Sequence, residues 1–237
     1  EHAVTMAAGM AAGGMKPYVA IYSTFLQRAV DHLMHDVCIA GLPVVFAVDR
    51  AGVVGADGKT HQGVFDIAMT RPLPNLTICQ PCDEHDLKEL MDEALARGTP
   101  TVIRYPRGRL PAIRERQPVK MADAKIAIWC TGDWLDKAER VAGRVGAIAM
   151  YARYIKPFDD KTLAGQRAAG MKIVTIENAA VSGGIGEMIG ADLKFGWPDE
   201  FIAHGAQDEL ERRHNLDADS IVARIKREFP DLVTLEQ

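Results

Sequence analysis

The side chains best suited to chemistry lie in one loop at residues 50–63, with the sequence RAGVVGADGKTHQG. Asp57 and His61 stand there among four glycines, and Arg50 precedes them. Glycine allows a backbone to approach a ligand closely, while Asp, His and Arg side chains supply charge and proton transfer. The pattern favours a binding or catalytic loop; the alternative is a solvated turn with scattered polar residues.

A buried strand is predicted to place this loop. Residues 43–48, PVVFAV, form a short apolar run without alternation, which is typical of a strand buried on both faces of a parallel sheet. The run stops at the charged pair Asp49-Arg50. Ligands of open α/β sheets bind just beyond the carboxyl ends of the strands. The loop is therefore expected at the ligand-binding edge of a sheet.

Strand-like and helical runs alternate along the first half of the chain. Ser23 or Thr24 is expected to cap the second helix, which would bring Phe25 and Arg28 to its first turns. The predicted strands are PYVAIYS at 17–23, PVVFAV at 43–48, LTICQ at 76–80 and TVIRYPRG at 101–108, and the predicted helices are 2–14, 25–41 and 83–98. Such alternation indicates a parallel α/β sheet.

The pattern restarts after a segment rich in proline and charge. Predicted strands at 125–130, 146–151 and 172–177 alternate with helices at 133–144 and 159–170, and two short helices close the chain. We therefore predict two successive α/β domains with mainly parallel sheets flanked by helices. Their bounds are 1–108 and 123–237, joined by a linker at 109–122.

Composition limits the classes of function. The chain has 237 residues, 48% hydrophobic and 25% charged, with a formal net charge of -4. This charge and the absence of a Lys/Arg cluster argue against a nucleic-acid partner. No apolar run is long enough to cross a bilayer and no signal peptide is visible, so no membrane partner is expected and a reducing cytoplasm is the default.

Two short motifs have ordinary alternatives. Cys79 and Cys82 form a C-x-x-C without the second pair that structural zinc needs. A thioredoxin-like redox site is one interpretation, and a strand end with incidental thiols is the simpler one. The glycine-rich stretch at 177–190 contains a G-x-G fragment, for which a packing turn is favoured over phosphate binding.

Longer segments carry a family resemblance. The stretches YSTFLQRAVDHLMHDV, DRAGVVGADGKTHQG and TVIRYPRG closely resemble segments of the 1-deoxy-D-xylulose-5-phosphate synthases, thiamine-diphosphate enzymes of the transketolase superfamily. RYIKPFDD, ENAAVSGG, GWPDEFIAHG and NLDADSIVARI resemble the last domain of that family. The resemblance covers essentially the whole chain, yet only the family's pyrimidine-binding and C-terminal domains.

The resemblance implies a reaction and its cofactors. This family condenses pyruvate with D-glyceraldehyde 3-phosphate, releases CO₂ and forms a precursor of isoprenoids, thiamine and pyridoxal. The cofactor is thiamine diphosphate with Mg²⁺. The family's leading domain, which holds the diphosphate and the metal, has no counterpart here, so no metal ligand is expected in this chain.

Roles for individual residues follow from the same resemblance. Phe25 is implied to stack on the aminopyrimidine ring, and Asp57 and His61 to orient substrate and shuttle protons. Taken alone, Phe25 would be a core aromatic and Arg28 a helix-surface charge. Four residues are implied to hold the phosphorylated acceptor and the carboxylate derived from pyruvate: Tyr22, Arg28, Arg50 and Arg107.

Departures from the family pattern raise alternatives. The family's catalytic glutamate would precede Glu1, and the segments between the domains and after the glycine turn are shorter than usual. The chain alone is therefore expected to be inactive, as a fragment or half-length subunit that forms a homodimer or pairs with a diphosphate-binding domain or subunit. The helix AAGMAAGG is the candidate contact face.

Two other identities remain open at this stage. One is a beta-type subunit of another thiamine-diphosphate enzyme, either a transketolase or a 2-oxoacid dehydrogenase. The other is a catalytically silent domain pair kept for oligomerisation or regulation. Retention of the charged set at Arg28, Arg50, Asp57, His61 and Arg107 favours an enzyme.

Overall fold

The computed structural model describes residues 1–112 and 124–233. Its nine strands are β1 Tyr18–Tyr22, β2 Val45–Asp49, β3 Thr77–Cys79, β4 Thr101–Arg104, β5 Ile126–Cys130, β6 Ile148–Tyr151, β7 Tyr154–Lys156, β8 Lys172–Ala180 and β9 Leu193–Trp197. They form a five-stranded sheet in the order β1-β2-β4-β3-β7 and a four-stranded sheet in the order β6-β5-β8-β9. Every pair is parallel except β3 with β7.

Helices flank both sheets, so the predicted α/β class with mainly parallel sheets is confirmed. The helices within the described part of the chain are α1 His2–Ala12, α2 Ser23–Leu26, α3 Val30–His32, α4 Asp66–Thr70, α5 Glu84–Arg97, α6 Leu135–Val145, α7 Asp160–Ala168, α8 Ile185–Met188, α9 Gln207–Arg213 and α10 Ala218–Glu228. The predicted helical and strand regions fall on these elements, while β7, β9 and α4 were missed.

Strand β2 is an interior strand of the first sheet, paired with β1 on one side and with β4 on the other. Its residues Val45, Phe46 and Val48 are almost completely buried, as the unbroken apolar run predicts. In the register of the sheet, Asp49 lies opposite Tyr22 of β1, and Val48 lies opposite Arg104 of β4. The carboxyl ends of three parallel strands therefore meet at one edge.

The helical stretch after β1 differs from the regular, side-chain-capped helix predicted there. Helices α2 and α3 are separated by the 3₁₀ segment Gln27–Ala29 and followed by the π segment Leu33–Cys38. Tyr22 is the N-cap residue and makes no side-chain capping bond, so capping by Ser23 or Thr24 was wrong. Ser23 is buried, because the chain turns directly from the strand into the helix.

The largest of the three hydrophobic clusters in the described residues spans both sheets. This cluster of buried apolar residues includes Phe46 and Ile78 from the first sheet together with Trp129 and Ile173 from the second. Strand β7 belongs to the second half of the sequence and yet completes the first sheet. The division at 109–122 stays a prediction, and residues 113–122 of that linker lie outside the described residues.

Helix α1 has two different faces. Val4, Ala7, Ala8 and Ala11 are buried, so its small residues pack against the chain's own core. The exposed face instead presents methionines, with Met6 53% and Met10 39% exposed. The large apolar side chains that this helix offers to a partner are therefore the two methionines.

Candidate active site

Three rings cluster where β1 runs into α2. The rings of Tyr22 and Phe25 are stacked, with centroids 5.3 Å apart and an angle of 14° between their planes. His61 stands edge-on to both, at 6.3 Å from Tyr22 and 5.5 Å from Phe25. Phe25 remains 41% exposed. An aromatic ring with one packed face and one exposed face is suited to stacking on a flat heterocycle, which a core aromatic is not.

Charged groups surround Asp57 beside these rings. The guanidinium carbon of Arg50 lies 3.8 Å from the centroid of the Tyr22 ring, a cation–π contact. Arg50 Nη1 is 2.6 Å from Asp49 Oδ2, and Arg50 Nε is 3.8 Å from Asp57 Oδ2. Arg107 Nη1 approaches the other oxygen of Asp57 at 3.4 Å. Asp57 thus lies between two arginines at one edge of the sheet, while the hydrogen bond to Arg50 comes from Asp49.

The structure brings together six of the seven residues singled out in the sequence. They are Tyr22, Phe25, Arg50, Asp57, His61 and Arg107. Arg28 lies on the 3₁₀ segment one turn after Phe25 and is exposed, outside the ion-paired group that Asp57 organises. The chemical roles of all seven residues stay predictions.

The loop that carries Asp57 and His61 needs unusual backbone angles. Arg50 has a φ of 58°, in the left-handed region that residues with a Cβ seldom adopt. Gly52 and Gly63 exchange two backbone hydrogen bonds, of 2.7 and 2.8 Å, and so close the loop at its base. A Cβ at Gly63 would lie 2.1 Å from the carbonyl oxygen of Arg50. Glycine at 63 is therefore required by close packing.

Gln62 is a residue of this loop that the sequence reasoning missed. Its side chain is buried, and its Oε1 accepts hydrogen bonds from the backbone N–H of Val54 at 2.7 Å and Gly55 at 3.2 Å. Its Nε2 donates to the carbonyl oxygen of Ala203 at 3.1 Å. The sequence did hold a signal for this role, a glutamine within a glycine-rich loop. Buried backbone N–H and C=O groups of such a loop need hydrogen-bond partners, and a side-chain amide can supply both a donor and an acceptor.

Arg104 is the last residue of β4 and Arg107 lies three residues beyond it, and the two arginines differ in their surroundings. Arg104 is fully buried and donates to both carboxylate oxygens of Asp66, at 3.1 and 3.0 Å. It also donates to the side chain of Gln80 and, at 3.2 Å, to the carbonyl oxygen of Asn178. Arg107 is 45% exposed. Arg104 therefore joins the two sheets beneath the site, whereas Arg107 is available to a ligand.

The cysteine and glycine motifs serve packing. All four cysteines are buried and form no disulfide, and burial raises the pKa of Cys79 to about 12. Redox and metal chemistry use the thiolate, so Cys79 is poorly suited to either. In the 177–190 stretch, the N–H groups of Ile185 and Gly186 donate to the buried carboxylate of Glu177, at 2.7 and 3.0 Å. A protein carboxylate thus occupies the donors that a phosphate would need.

Residues 1–112 and 124–233 offer neither a metal-binding cluster nor a membrane-spanning helix. No group of three or more His, Cys, Asp or Glu side chains there could hold a metal ion. None of the helices in these ranges combines the length and apolarity needed to cross a bilayer.

Comparisons with known proteins agree with the geometry. Residues 1–112 match the family model of the transketolase pyrimidine binding domain. The 1-deoxy-D-xylulose-5-phosphate synthase of Erwinia tasmaniensis is 43% identical over 95% of this chain and 40% of its own length, and that of Hamiltonella defensa is 40% identical over 95% and 39%. The chain thus spans about two fifths of the length of these relatives.

The fold has a solved counterpart. A split-gene transketolase, described as an inactive beta4 tetramer, matches with a TM-score of 0.85 and 22% identity over 98% of this chain and 82% of its own. An identity this low shows a shared fold only. The sequence matches show that residues 1–112 are similar to the transketolase pyrimidine binding domain, and that the chain is a partial 1-deoxy-D-xylulose-5-phosphate-synthase-like region.

Proposed function

We propose that this chain supplies the pyrimidine-binding side of a thiamine-diphosphate-dependent synthase that condenses pyruvate with D-glyceraldehyde 3-phosphate and releases CO₂. One observation carries the proposal. The exposed ring of Phe25, the imidazole of His61 and two arginines near Asp57 lie together at one edge of the sheet. The identity of 40–43% to synthases, against 22% to a transketolase, favours this reaction over ketol transfer between sugars.

Phe25 and its neighbours fit the pyrimidine end of the cofactor. The Tyr22 ring supports one face of Phe25, and the exposed fraction of Phe25 offers an apolar platform for a flat heterocycle. When bound, thiamine diphosphate supplies the carbon nucleophile and the electron sink for decarboxylation of a 2-oxo acid. The chain's own part is to hold the ring and to exclude water from that face.

Arg50 and Arg107 are proposed to hold the anionic groups of the substrates. A guanidinium matches carboxylate and phosphate oxygens with two parallel donors. In the present structure Asp57 lies at ion-pair distance from both, 3.8 Å from Arg50 Nε and 3.4 Å from Arg107 Nη1, and Arg50 Nε has no hydrogen-bond partner among the described residues. Asp57 therefore orients both guanidinium groups toward one place. Arg28 is proposed as a further anion contact from the helix.

His61 is proposed to transfer protons to and from the reacting oxygen atoms. Its Nδ1 lies 3.0 Å from the Thr60 hydroxyl, and its ring edge contacts Phe25. These contacts fix the direction of the imidazole and leave Nε2 for substrate. A positioned histidine is the commonest general acid–base group in enzymes.

The diphosphate and Mg²⁺ are proposed to be held by another domain or subunit, with the chain inactive alone. The solved split-gene transketolase has a similar length of chain and is described as inactive. A homodimer is proposed as the assembled state, with the exposed methionines of α1 at a contact. A reducing cytoplasm is the proposed location, in keeping with four cysteines that form no disulfide.

The proposal is tested by restoring the remainder of the site. The chain is fused behind the part of the Erwinia tasmaniensis relative that it does not cover, and CO₂ release from pyruvate is measured with thiamine diphosphate, Mg²⁺ and D-glyceraldehyde 3-phosphate. We expect release from the fusion, none from the chain alone, and strong loss in a Phe25→Ala fusion. A folded fusion that binds the cofactor but releases no CO₂ would refute the function.

Replacing Arg107 by alanine should raise the KM for D-glyceraldehyde 3-phosphate about tenfold to a hundredfold, because a hydrogen bond to a charged group contributes about 1.5–3 kcal/mol. Arg107→Lys should recover only part, since an ammonium cannot present two parallel donors. Arg109→Ala, two residues on and also exposed, is the matched control. If Arg107 only braces Asp57, the melting temperature will fall while the KM stays unchanged.

A further inference from the structure

Asn178 belongs to strand β8 of the second sheet, but its side chain contacts the site loop. Its Oδ1 accepts a hydrogen bond from the backbone N–H of Val53 at 3.1 Å and another from Trp197 Nε1 at 2.9 Å. Its Nδ2 donates to Asp133 Oδ2 at 3.3 Å. The residue is 1% exposed; its bonds to Val53 and Trp197 are buried, and its bond to Asp133 is partly buried.

The same amide also explains why residue 52 is a glycine. A Cβ at Gly52 would lie 2.3 Å from the side-chain carbon and nitrogen of Asn178, so the loop backbone rests directly on this amide. Gly52 also has a φ of 83° and pairs with Gly63 at the base of the loop. Asn178 thus contacts the loop at the point where both of its arms meet.

Other backbone contacts join the second half of the chain to the loop. The N–H of Ala180 donates to the carbonyl oxygen of Val64 at 2.8 Å, just after the loop. A Cβ at Gly55 would lie 2.8 Å from the carbonyl oxygen of Gly205, so these backbones are in close contact. Asp57 and His61 lie between these points of contact. A loop with four glycines needs such external supports, because glycine leaves the backbone many alternative conformations.

We propose that Asn178 is a positioning residue for the candidate active site: it fixes the loop that carries Asp57 and His61. The second half of the chain thereby sets the geometry of a site whose reacting side chains come from the first half. The catalytic meaning of this placement rests on the proposed function, whereas the placement itself can be measured without any activity.

Three variants separate this role from general stability. Asn178→Ala removes the acceptor for Val53. Asn178→Asp keeps an acceptor oxygen at the same place, and the new carboxylate can share a proton with Asp133, because two carboxylates this close do not both ionise. Thr175→Val is the matched control, since Thr175 is buried in the same strand and its hydroxyl has no hydrogen-bond partner.

Hydrogen exchange of the backbone amides in the full chain is the measurement. We expect Asn178→Ala to accelerate exchange of residues 52–63 by about tenfold or more, the effect of losing one buried hydrogen bond, relative to the strands of both sheets. Thr175→Val should leave the loop within about twofold of wild type, and Asn178→Asp should retain most of the protection. Unchanged loop exchange in Asn178→Ala, or equal acceleration in both sheets, would overturn the proposal.

Two further readouts keep the test decisive. If Asn178→Ala does not fold, wild-type exchange decides: the Val53 amide should be protected like the amides of β8, and exchange as fast as the exposed Lys59 would refute the contact. In the active fusion, Asn178→Ala should lower kcat more than it alters the KM for pyruvate. If hydrogen exchange in the loop is as expected but the wild-type fusion releases no CO₂, the proposed function is refuted and the positioning role of Asn178 stands.

Discussion

Replacing Arg104 by methionine should lower the free energy of unfolding by about 3–5 kcal/mol, the usual cost of breaking a buried ion pair by removing one partner. The substitution leaves the Asp66 carboxylate, which is 2% exposed, without its two guanidinium bonds. It also leaves the carbonyl oxygen of Asn178 and the side chain of Gln80 without a donor that they now use. Urea denaturation followed by circular dichroism measures the loss.

The comparison that isolates the buried charge uses two further variants. Adding Asp66→Asn to Arg104→Met removes the uncompensated carboxylate and should recover part of the loss. Arg144→Met breaks the exposed pair with Asp219, which is 2.7 Å long, and should cost about 1 kcal/mol or less because water screens it. Equal losses for Arg104→Met and Arg144→Met would show that Arg104 is not the support we describe.

Replacing His61 by alanine should lower kcat of the active fusion about a hundredfold to ten-thousandfold, the range of a positioned general acid–base group. The KM values should change much less, because the arginines that are proposed to bind the substrate anions remain. His61 is only partly buried and closes no core contact, so the melting temperature should stay close to wild type. Steady-state kinetics and thermal melting on one preparation give both quantities.

His35→Ala is the matched control for this prediction. The His35 side chain is 75% exposed and paired with Asp36 on the helical stretch, outside the ring cluster of Tyr22, Phe25 and His61. Its removal should leave kcat unchanged. A His61→Ala enzyme with the wild-type kcat would show that another group transfers the proton, and would remove His61 from the proposed mechanism.

Much of the fold was predictable because its signals are local. The apolar run before Asp49 predicts β2 through burial on both faces, and alternation of strands with helices predicts parallel sheets. The rule that ligands bind beyond the carboxyl ends of strands then predicts that the loop holding Asp57 and His61 lies at the edge where Tyr22 ends β1. The residue types alone indicate charge and proton transfer, and the substrates are only what the family resemblance implies.

The remainder depended on contacts between residues far apart in the chain. Strand β7 has three residues, too few to form a recognisable sequence pattern, and it pairs with β3 across 75 positions or more of sequence. The residue types in TVIRYPRG do not show which of Arg104 and Arg107 is buried, because both are cations near a strand end, and the choice of Arg107 came from the family resemblance alone. The buried carboxylate of Asp66, 38 residues away, decides it.

The sequence by itself determined which side chains are available for chemistry and which strand ends carry them. Only the tertiary structure decided which contacts fix the positions of these side chains. Asn178 meets Val53 across 125 residues, and no periodicity or spacing encodes such a contact. The physical reason is that a buried backbone N–H must find an acceptor, and the packing of the second sheet against the first determines which acceptor lies within reach.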